Sequence, residues 1–286
     1  MLITWNVRGL GLDTKRFGVR DFCQLNKFDI ICLQETKLNT VTESILKSLG
    51  GNLFDWSFVP SEGSSGGIMI GWNSSSWKKL QEKVDNYVLT VVLQSKKNNF
   101  KWTLSSVYGP HCNKERLMFW QELKDIKNTF SGPWIVVGDF NVTSNSSERK
   151  GKSNYRREME EFNDIINELE LIDSPLHGRK FTWSNKRRSP SMARLDRVFF
   201  NSDWEDFFPF SKQQGLSSQL SDHAPISFDF GDNQCYVKKF RFEKIWLRSD
   251  DFLYKVPVWW RCAPSSVSAA KNIVGKLRFM RKCIKQ

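Results

Sequence analysis

With 286 residues, 40% hydrophobic and 26% charged side chains, the chain can bury one large core and does not have the composition of a disordered or fibrous protein. Its net charge of +12 favours a polyanionic partner, because Lys and Arg that neutralise phosphates release counterions, yet residues 232–286 hold +9 of that excess. Cys23, Cys32, Cys112, Cys235, Cys262 and Cys283 show no CxxC or Cys/His ligand spacing, so no zinc site or disulfide framework is signalled. No signal-peptide pattern opens the chain, and no apolar run approaches the roughly 20 residues that cross a bilayer. The expectation is a soluble intracellular protein with reduced thiols and no membrane partner.

In chain order, Leu2 to Trp5 is the first short apolar run, ending abruptly at Asn6. Arg16 to Leu25 has the three-and-four spacing of an amphipathic helix, and Ile30 to Leu33 is a second apolar run that stops at Gln34-Glu35. Residues 61–67, rich in Gly and Ser, lack the Lys and Ser/Thr of a P-loop and read as a flexible turn into a strand, Gly67 to Trp72. Val88 to Leu93 and Trp102 to Tyr108 are further strands, followed by a helix over Lys114 to Asn128 and a buried strand, Trp134 to Val137, before Gly138-Asp139. A helix over Arg156 to Leu169 and strands at Phe181 to Trp183, Asp196 to Phe200 and Ile226 to Phe230 complete an alternating α/β pattern. Two basic stretches, from Glu148-Arg149-Lys150-Gly151-Lys152 to Tyr155-Arg156-Arg157 and at Lys186-Arg187-Arg188, are either solvated faces or nucleic-acid contacts.

Cleaving a phosphodiester needs a divalent cation, a carboxylate to position or deprotonate water, and donors for the developing charge. Hard cations take oxygen ligands, and the chain sets Glu35, Asp139, Asp196 and Asp222 beside apolar runs, together with Asn6, Tyr108, Asn141 and His223. Each alone has an ordinary structural explanation, such as a turn, a cap or a core aromatic. Their ordered combination does not. The series Trp5-Asn6-Val7-Arg8-Gly9, Gln34-Glu35-Thr36-Lys37, Val107-Tyr108-Gly109-Pro110, Gly138-Asp139-Phe140-Asn141, Arg194-Leu195-Asp196-Arg197 and Ser221-Asp222-His223 resembles the endonuclease/exonuclease/phosphatase superfamily from residue 2 to about 230. Phe181-Thr182-Trp183-Ser184-Asn185 and the stretch Phe240 to Trp246 resemble the apurinic-like endonuclease domains of plant LINE-type retrotransposons.

The resemblance implies an α/β fold, a four-layer sandwich of two mixed β-sheets flanked by helices, DNase I-like or exonuclease III-like. The catalytic domain would span residues 1–231, and 232–286 would be a basic extension, a truncated linker toward a reverse transcriptase. By the same resemblance, the protein is a monomeric endodeoxyribonuclease that nicks DNA to leave 3′-hydroxyl and 5′-phosphate ends, as in target-primed retrotransposition. It would act in the nucleus, or also the cytoplasm, with Mg²⁺ or Mn²⁺ and no organic cofactor. Glu35 would hold the metal, with Asn6 and Asp222 completing or orienting that site. Asp139 would position or deprotonate water, Asn141 and Tyr108 would bind the scissile phosphate, and His223 would donate to a non-bridging oxygen while Asp196 keeps it cationic.

Arg8 stands where many DNA-repair relatives carry an acidic residue, which puts a second metal in doubt, and His111 stands where relatives often present an asparagine to the phosphate. Further DNA contacts are expected from Arg194 and Arg197, with structural pairing as the alternative for Arg194, and from Lys186 and Arg187 on a hairpin. Trp183 is expected to pack below the site. Two rival readings remain open at this point. One is a phosphatase, sphingomyelinase or deadenylase on the same frame; the other is an inactive retroelement-derived relic that binds nucleic acid.

Overall fold

The computed structural model describes residues 1–62, 65–151, 156–231 and 248–263, with 273, 276–277, 279–280 and 283–284 beyond them. The chain divides into two units, Met1–Asn233 and Gln234–Gln286. The first runs β1 (Leu2–Asn6), α1 (Asp13–Leu25), β2 (Ile30–Gln34), α2 (Glu43–Gly50), β3 (Phe54–Glu62), β4 (Ser65–Asn73), β5 (Trp77–Val84), β6 (Val88–Ser95), β7 (Lys101–Tyr108), α3 (Asn113–Thr129) and β8 (Trp134–Asp139). It continues β9 (Arg149–Lys150), α4 (Arg156–Glu168), β10 (Ile172–Asp173), β11 (Leu176–His177), β12 (Trp183–Ser184), β13 (Met192–Ala193), β14 (Asp196–Phe200), α5 (Ser202–Phe207), β15 (Lys212–Gly215) and β16 (Ile226–Asp229).

A seven-stranded sheet has the order β11-β15-β16-β1-β2-β4-β3, and a six-stranded sheet the order β10-β14-β8-β7-β6-β5. Both are mixed: β1 pairs parallel with β2 and β7 with β8, while β16 and β14 run antiparallel to β1 and β8. Period-two alternation decides which face each side chain takes. Leu2, Ile30 and Ile226 of the first sheet join Val91, Leu104, Ile135 and Val198 of the second in one buried cluster, so the sheets pack face to face. The intervening residues point outward: Ile3, Trp5, Ile31 and Leu33 pack with Val19, Cys23 and Leu49 of α1 and α2. Likewise Val136 and Phe199 pack with Phe119, Leu123, Phe162 and Ile166 of α3 and α4. The result is the four-layer α/β sandwich implied by the motifs. Strands β1, β2, β8 and β14 are buried on both faces, which is why the first three read as apolar runs up to their polar ends.

Elements that the periodicity did not reveal lie where burial is one-sided or brief. Strand β5, Trp-Lys-Lys-Leu-Gln-Glu-Lys-Val, is an edge strand whose residues are all exposed or half-buried, so its composition resembles a polar surface. Strand β3 is also an edge and carries Pro60, whose missing N–H is tolerated there. Helix α2 has only eight residues, with Thr42 as its N-cap accepting from Ile45 N. The glycine-rich stretch is a continuation of the β3–β4 hairpin, with Ser61 opposite Gly66 and Glu62 opposite Ser65, although residues 63–64 lie outside the described set. In the second unit, α6 (Asp250–Cys262) is capped by Ser249, and no helix among the described residues is long and apolar enough to cross a membrane. The motif at 240–246 lies outside the described residues.

Gly138 sets the close approach of β7 and β8 just before Asp139. Its φ is +136°, and a Cβ there would lie 2.1 Å from the Val107 carbonyl oxygen, a backbone atom that cannot swing aside. Gly138→Ala should therefore cost about 2–4 kcal/mol. Thermal denaturation followed by circular dichroism should show the midpoint falling by about 5–10 °C; an unchanged midpoint would contradict this account of the strand pair.

Candidate active site

Strand register explains why residues far apart in sequence meet. Parallel pairing of Asn6 with Gln34 sets Asn6 and Glu35 at one end of the first sheet, and parallel pairing of Tyr108 with Asp139 sets those two at one end of the second. Because β14 is antiparallel to β8, its first residue, Asp196, lies directly opposite Asp139. Antiparallel β16 brings its preceding loop, with Asp222 and His223, to the Asn6 end of β1. These elements border a cavity of about 450 Å³ whose lining includes Arg8, Glu35, His111, Asp139, Asn141, Trp183, Asp222 and His223. The turns leaving the strands are strained: Arg8, Glu35, Lys37 and Asn141 all have φ between +49° and +55°, a region that residues other than glycine rarely adopt.

Asn6 ties the two sheets together at this end. Its Nδ2 donates to Glu35 Oε2 at 3.1 Å and to Asp139 Oδ2 at 2.9 Å, while its Oδ1 accepts from the Arg8 amide at 3.0 Å. The Asn141 amide donates to the other oxygen of Asp139 at 2.9 Å, and Asn141 Nδ2 donates to the Gly109 carbonyl at 2.7 Å. Asp139 is thus held at both oxygens. His223 is buried, its Nδ1 2.9 Å from Asp196 Oδ2 and its Nε2 3.8 Å from Asp139 Oδ2. The longer separation exceeds a hydrogen bond and leaves the Nε2 proton for an incoming oxygen. Burial works against the imidazolium, but the charges of Asp196 and Asp139 and the Asp196 hydrogen bond outweigh it and raise the His223 pKa to about 9. Burial likewise pushes the Asp139 pKa up to about 6, against the opposing pull of His223. Burial, followed by the charges of Glu35 and Asp139, raises the pKa of the Tyr108 hydroxyl, which stays protonated as a donor.

The oxygen donors suit a hard divalent cation. Glu35 and Asp222 offer carboxylate oxygens on the cavity wall, and Asn6 orients Glu35 rather than adding a third charge. Lys37 Nζ lies 3.0 Å from Glu35 Oε1, and Arg8 pairs with Asp222. Both cations are more exposed than the carboxylates they touch, so a metal ion would compete with Lys37 and Arg8 for these oxygens. Asp139, Asp196 and His223 also lie close enough to grip an ion. Their Asp–His hydrogen bond already uses the imidazole, however, and the hard-oxygen set at Glu35 and Asp222 fits Mg²⁺ or Mn²⁺ better.

Several expected contacts take other roles. Arg197 has no exposed side-chain surface and bridges Glu148 and Asp173, so it cannot reach a phosphate; Arg194 pairs with the same two carboxylates. A buried carboxylate pair within reach claimed both guanidinium groups, bracing the strand that carries Asp196. Lys186 folds back so that its Nζ donates to the Ser221 carbonyl at 2.7 Å, while the backbone of Lys186, Arg187 and Arg188 forms the exposed tip of the β12–β13 hairpin. Trp183 is half-buried and lines the cavity, its Nε1 donating to Asp222 Oδ2 at 3.1 Å. His111 is exposed on the cavity rim. The basic cluster at 148–157 separates into buried Glu148, cavity-lining Arg149, and Arg156 and Arg157 paired along α4 with Glu160 and Glu161; residues 152–155 lie outside the described set. Sequence reasoning also passed over the supports: Thr182 Oγ1 accepts from the Asp196 amide, Ser221 Oγ donates to the Asn6 carbonyl, and Trp5 Nε1 donates to the His223 carbonyl. All three stand inside the quoted motifs, but local sequence does not show which group each would support.

Because the folded pKa of His223 is raised, its cation is favoured up to about pH 9 and lost above it. In an NMR titration of the metal-free protein, the imidazole should show a midpoint near 9, and Asp196→Asn should bring it down by more than one unit. A wild-type midpoint at the ordinary histidine value would remove the proposed pairing.

Comparison with known proteins agrees with this geometry. The family model described as the endonuclease/exonuclease/phosphatase family matches residues 3–223. An AP endonuclease from Leishmania major superposes with a TM-score of 0.62 at 19% identity, covering 79% of this chain and 85% of that one. The endonuclease domain of TRAS1, a telomere-specific non-LTR retrotransposon, gives 0.62 at 18%, covering 83% and 99%. A mannosyl-6-phosphatase from Bacteroides thetaiotaomicron gives 0.58 at 15%, covering 80% and 98%. At such identities the structural likenesses speak for the fold, and it is the family match over most of the length, with its motifs brought into one cavity, that places this chain in the endonuclease/exonuclease/phosphatase family of phosphate-ester hydrolases.

Proposed function

We propose that the chain is a divalent-metal-dependent DNA endonuclease that nicks one strand to leave a 3′-hydroxyl and a 5′-phosphate. The observation that carries the choice of a polymer over a small phosphate ester is the position of the basic hairpin. Trp183 at its base bridges to His223, and the Ser184 amide donates to the Asp222 carbonyl at 3.1 Å. Exposed Arg187 and Arg188 therefore rise from the rim of the cleft, where a strand continuing past the scissile bond would pass and a phosphomonoester would not. A nick with a free 3′-hydroxyl can prime synthesis on chromosomal DNA, so we place the activity in the nucleus and take the catalytic unit to be a monomer.

In this reading Glu35 and Asp222 hold Mg²⁺ or Mn²⁺, which supplies Lewis acidity to the phosphate. Asp139, fixed by Asn6 and Asn141, orients the attacking water and accepts its proton; its raised pKa makes it a better base than an ordinary aspartate while leaving it ionised at neutral pH. His223 donates its Nε2 proton to a non-bridging oxygen as negative charge accumulates, with Asp196 holding the ring. Tyr108 and Asn141 border the phosphate position, and His111 approaches it from the rim.

Supercoiled plasmid should convert to the nicked form in Mg²⁺ and not in EDTA. Glu35→Ala and His223→Ala should each slow the reaction by at least about 100-fold. Failure of the folded wild type to nick in Mg²⁺ and in Mn²⁺ would sink the endonuclease reading; cleavage of a soluble phosphomonoester or of poly(A) by the same preparation would replace it with a phosphatase or deadenylase.

The competent state pairs ionised Asp139 with cationic His223, so it exists above a pKa of about 6 and below one of about 9. kcat/KM should be bell-shaped between those limits, which belong to the interacting pair. Asp196→Asn should pull in the alkaline limb, whereas an alkaline limb that stays in place would dissociate His223 from the acid role.

A further inference from the structure

Arg8 is held more firmly than an exposed arginine on a turn requires. Its backbone takes a φ of +49°, its amide donates to Asn6 Oδ1 at 3.0 Å, and its carbonyl accepts from Lys15 Nζ at 3.1 Å. Its guanidinium pairs with Asp222, whose Oδ2 also receives the Trp183 indole N–H, so the carboxylate is fixed from two sides and fixes Arg8 in turn. The Arg8 side chain is 57% exposed against 9% for Asp222, and it borders the same cavity as Glu35, Asp139 and His223. A guanidinium presents several N–H donors in a rigid fork, so pairing with one carboxylate oxygen leaves others to meet a phosphate.

The charges of the cleft lead to a stronger statement. At its centre Glu35, Asp139, Asp196 and Asp222 face His223, Arg8, Lys37 and Lys15, the cations that pair with them or lie within their field, and Arg116, Arg149 and Glu158 also line the cavity. The formal charges of the central group cancel, and the rest of the lining adds two arginines against one glutamate. One divalent cation is then already enough to match the double negative charge of a pentacoordinate phosphodiester transition state, whereas a second would leave the cleft strongly positive at the point where charge has to be matched.

We propose that Arg8 is a phosphate-binding catalytic residue whose fixed charge on Asp222 lets the cleft work with one divalent cation. This rests on the endonuclease reading of the same site. Arg8 also repels a cation arriving at Asp222, so its two effects oppose each other: removing its charge strengthens metal binding and weakens catalysis. A residue that merely stabilised the turn would move both in one direction.

The experiment is Mn²⁺ titration of the full chain, with free Mn²⁺ read by electron paramagnetic resonance, alongside plasmid-nicking kinetics in Mg²⁺ for wild type, Arg8→Gln and Arg8→Lys. Wild type should bind one Mn²⁺. Arg8→Gln should bind Mn²⁺ several-fold more tightly while its kcat/KM falls by about 10- to 100-fold, and Arg8→Lys should recover part of the rate. Two Mn²⁺ of similar affinity on wild type, unchanged nicking in Arg8→Gln, or Mn²⁺ affinity falling together with the rate would each overturn the proposal. Should Arg8→Gln fail to fold, Arg8→Lys decides: a rate below wild type with Mn²⁺ affinity kept supports a phosphate contact that needs the fork, and parallel loss of both overturns it. A wild type that binds one Mn²⁺ yet never nicks DNA would instead remove the endonuclease reading, since the metal count is measured without turnover.

Discussion

Two buried aspartates facing each other across a strand ladder are the constraint around which this site is organised. Asp139 and Asp196 are opposite residues of β8 and β14, each with almost no exposure, and like charges so placed destabilise a sheet unless something stands between them. His223 is that element. Inserted from the loop before β16, it takes a hydrogen bond to Asp196 and stays within 4 Å of Asp139, and the two anions hold it cationic against burial. The fold therefore needs the imidazolium for its own electrostatic balance. The same charge distribution presents a proton donor and a fixed carboxylate to one cavity, so what keeps the ladder together also arranges the chemistry.

Such a triad must be held in place, and the supports come from both sheets. Asn6 spans from Glu35 of one sheet to Asp139 of the other, so the sandwich cannot shear at this end without breaking its amide contacts. On the far side of Asp196, Arg194 and Arg197 pair with Glu148 and Asp173, tying β14 to the loop after Asn141 and to β10. Largely buried charge of this kind is poor as a source of net stability and strong as a determinant of geometry, since losing one partner leaves the others uncompensated. The left-handed turns at Arg8, Glu35, Lys37 and Asn141 follow the same logic: packed strands on either side overdetermine a backbone that would otherwise relax.

The sequence made some of this legible for definite physical reasons. Strands buried on both faces must be apolar throughout, so β1, β2 and β8 stood out, and the polar residues at their ends could be recognised as a set. Edge strands such as β5 and β3 are under no such demand, and a short capped helix such as α2 has too few turns to establish a period. Within the site, side chains that project into the cavity share motifs with several of their supports, and local sequence does not tell one from the other. Glu148 sits in a run of Arg and Lys and looks solvated until β13 and β14 fold over it. Arg197 looks like a phosphate contact for the converse reason: local sequence shows a cation beside Asp196 and cannot show the two carboxylates waiting on other elements. Trp183 reads as core, yet its indole N–H, together with the Arg8 guanidinium, holds the orientation of Asp222 at the rim.

Substrate choice follows from what stands outside the triad. An Asp–His pair facing a second carboxylate serves any phosphate ester, so the fold and its innermost residues do not by themselves distinguish a sugar phosphate from a nucleic acid. What distinguishes them is extent. A small ester ends within a few ångströms of the reacting phosphorus, whereas a nucleic acid continues in both directions and is gripped mainly through its backbone. Here the β12–β13 hairpin is joined to the loop before β16 by the Trp183–His223 bridge, the Ser184 amide and the Lys186 ammonium, three links between a basic protrusion and the residues proposed to perform catalysis. On the endonuclease reading, a strand bound along the hairpin would act mechanically on Asp222 and His223 and so couple recognition of an extended substrate to alignment of the acid.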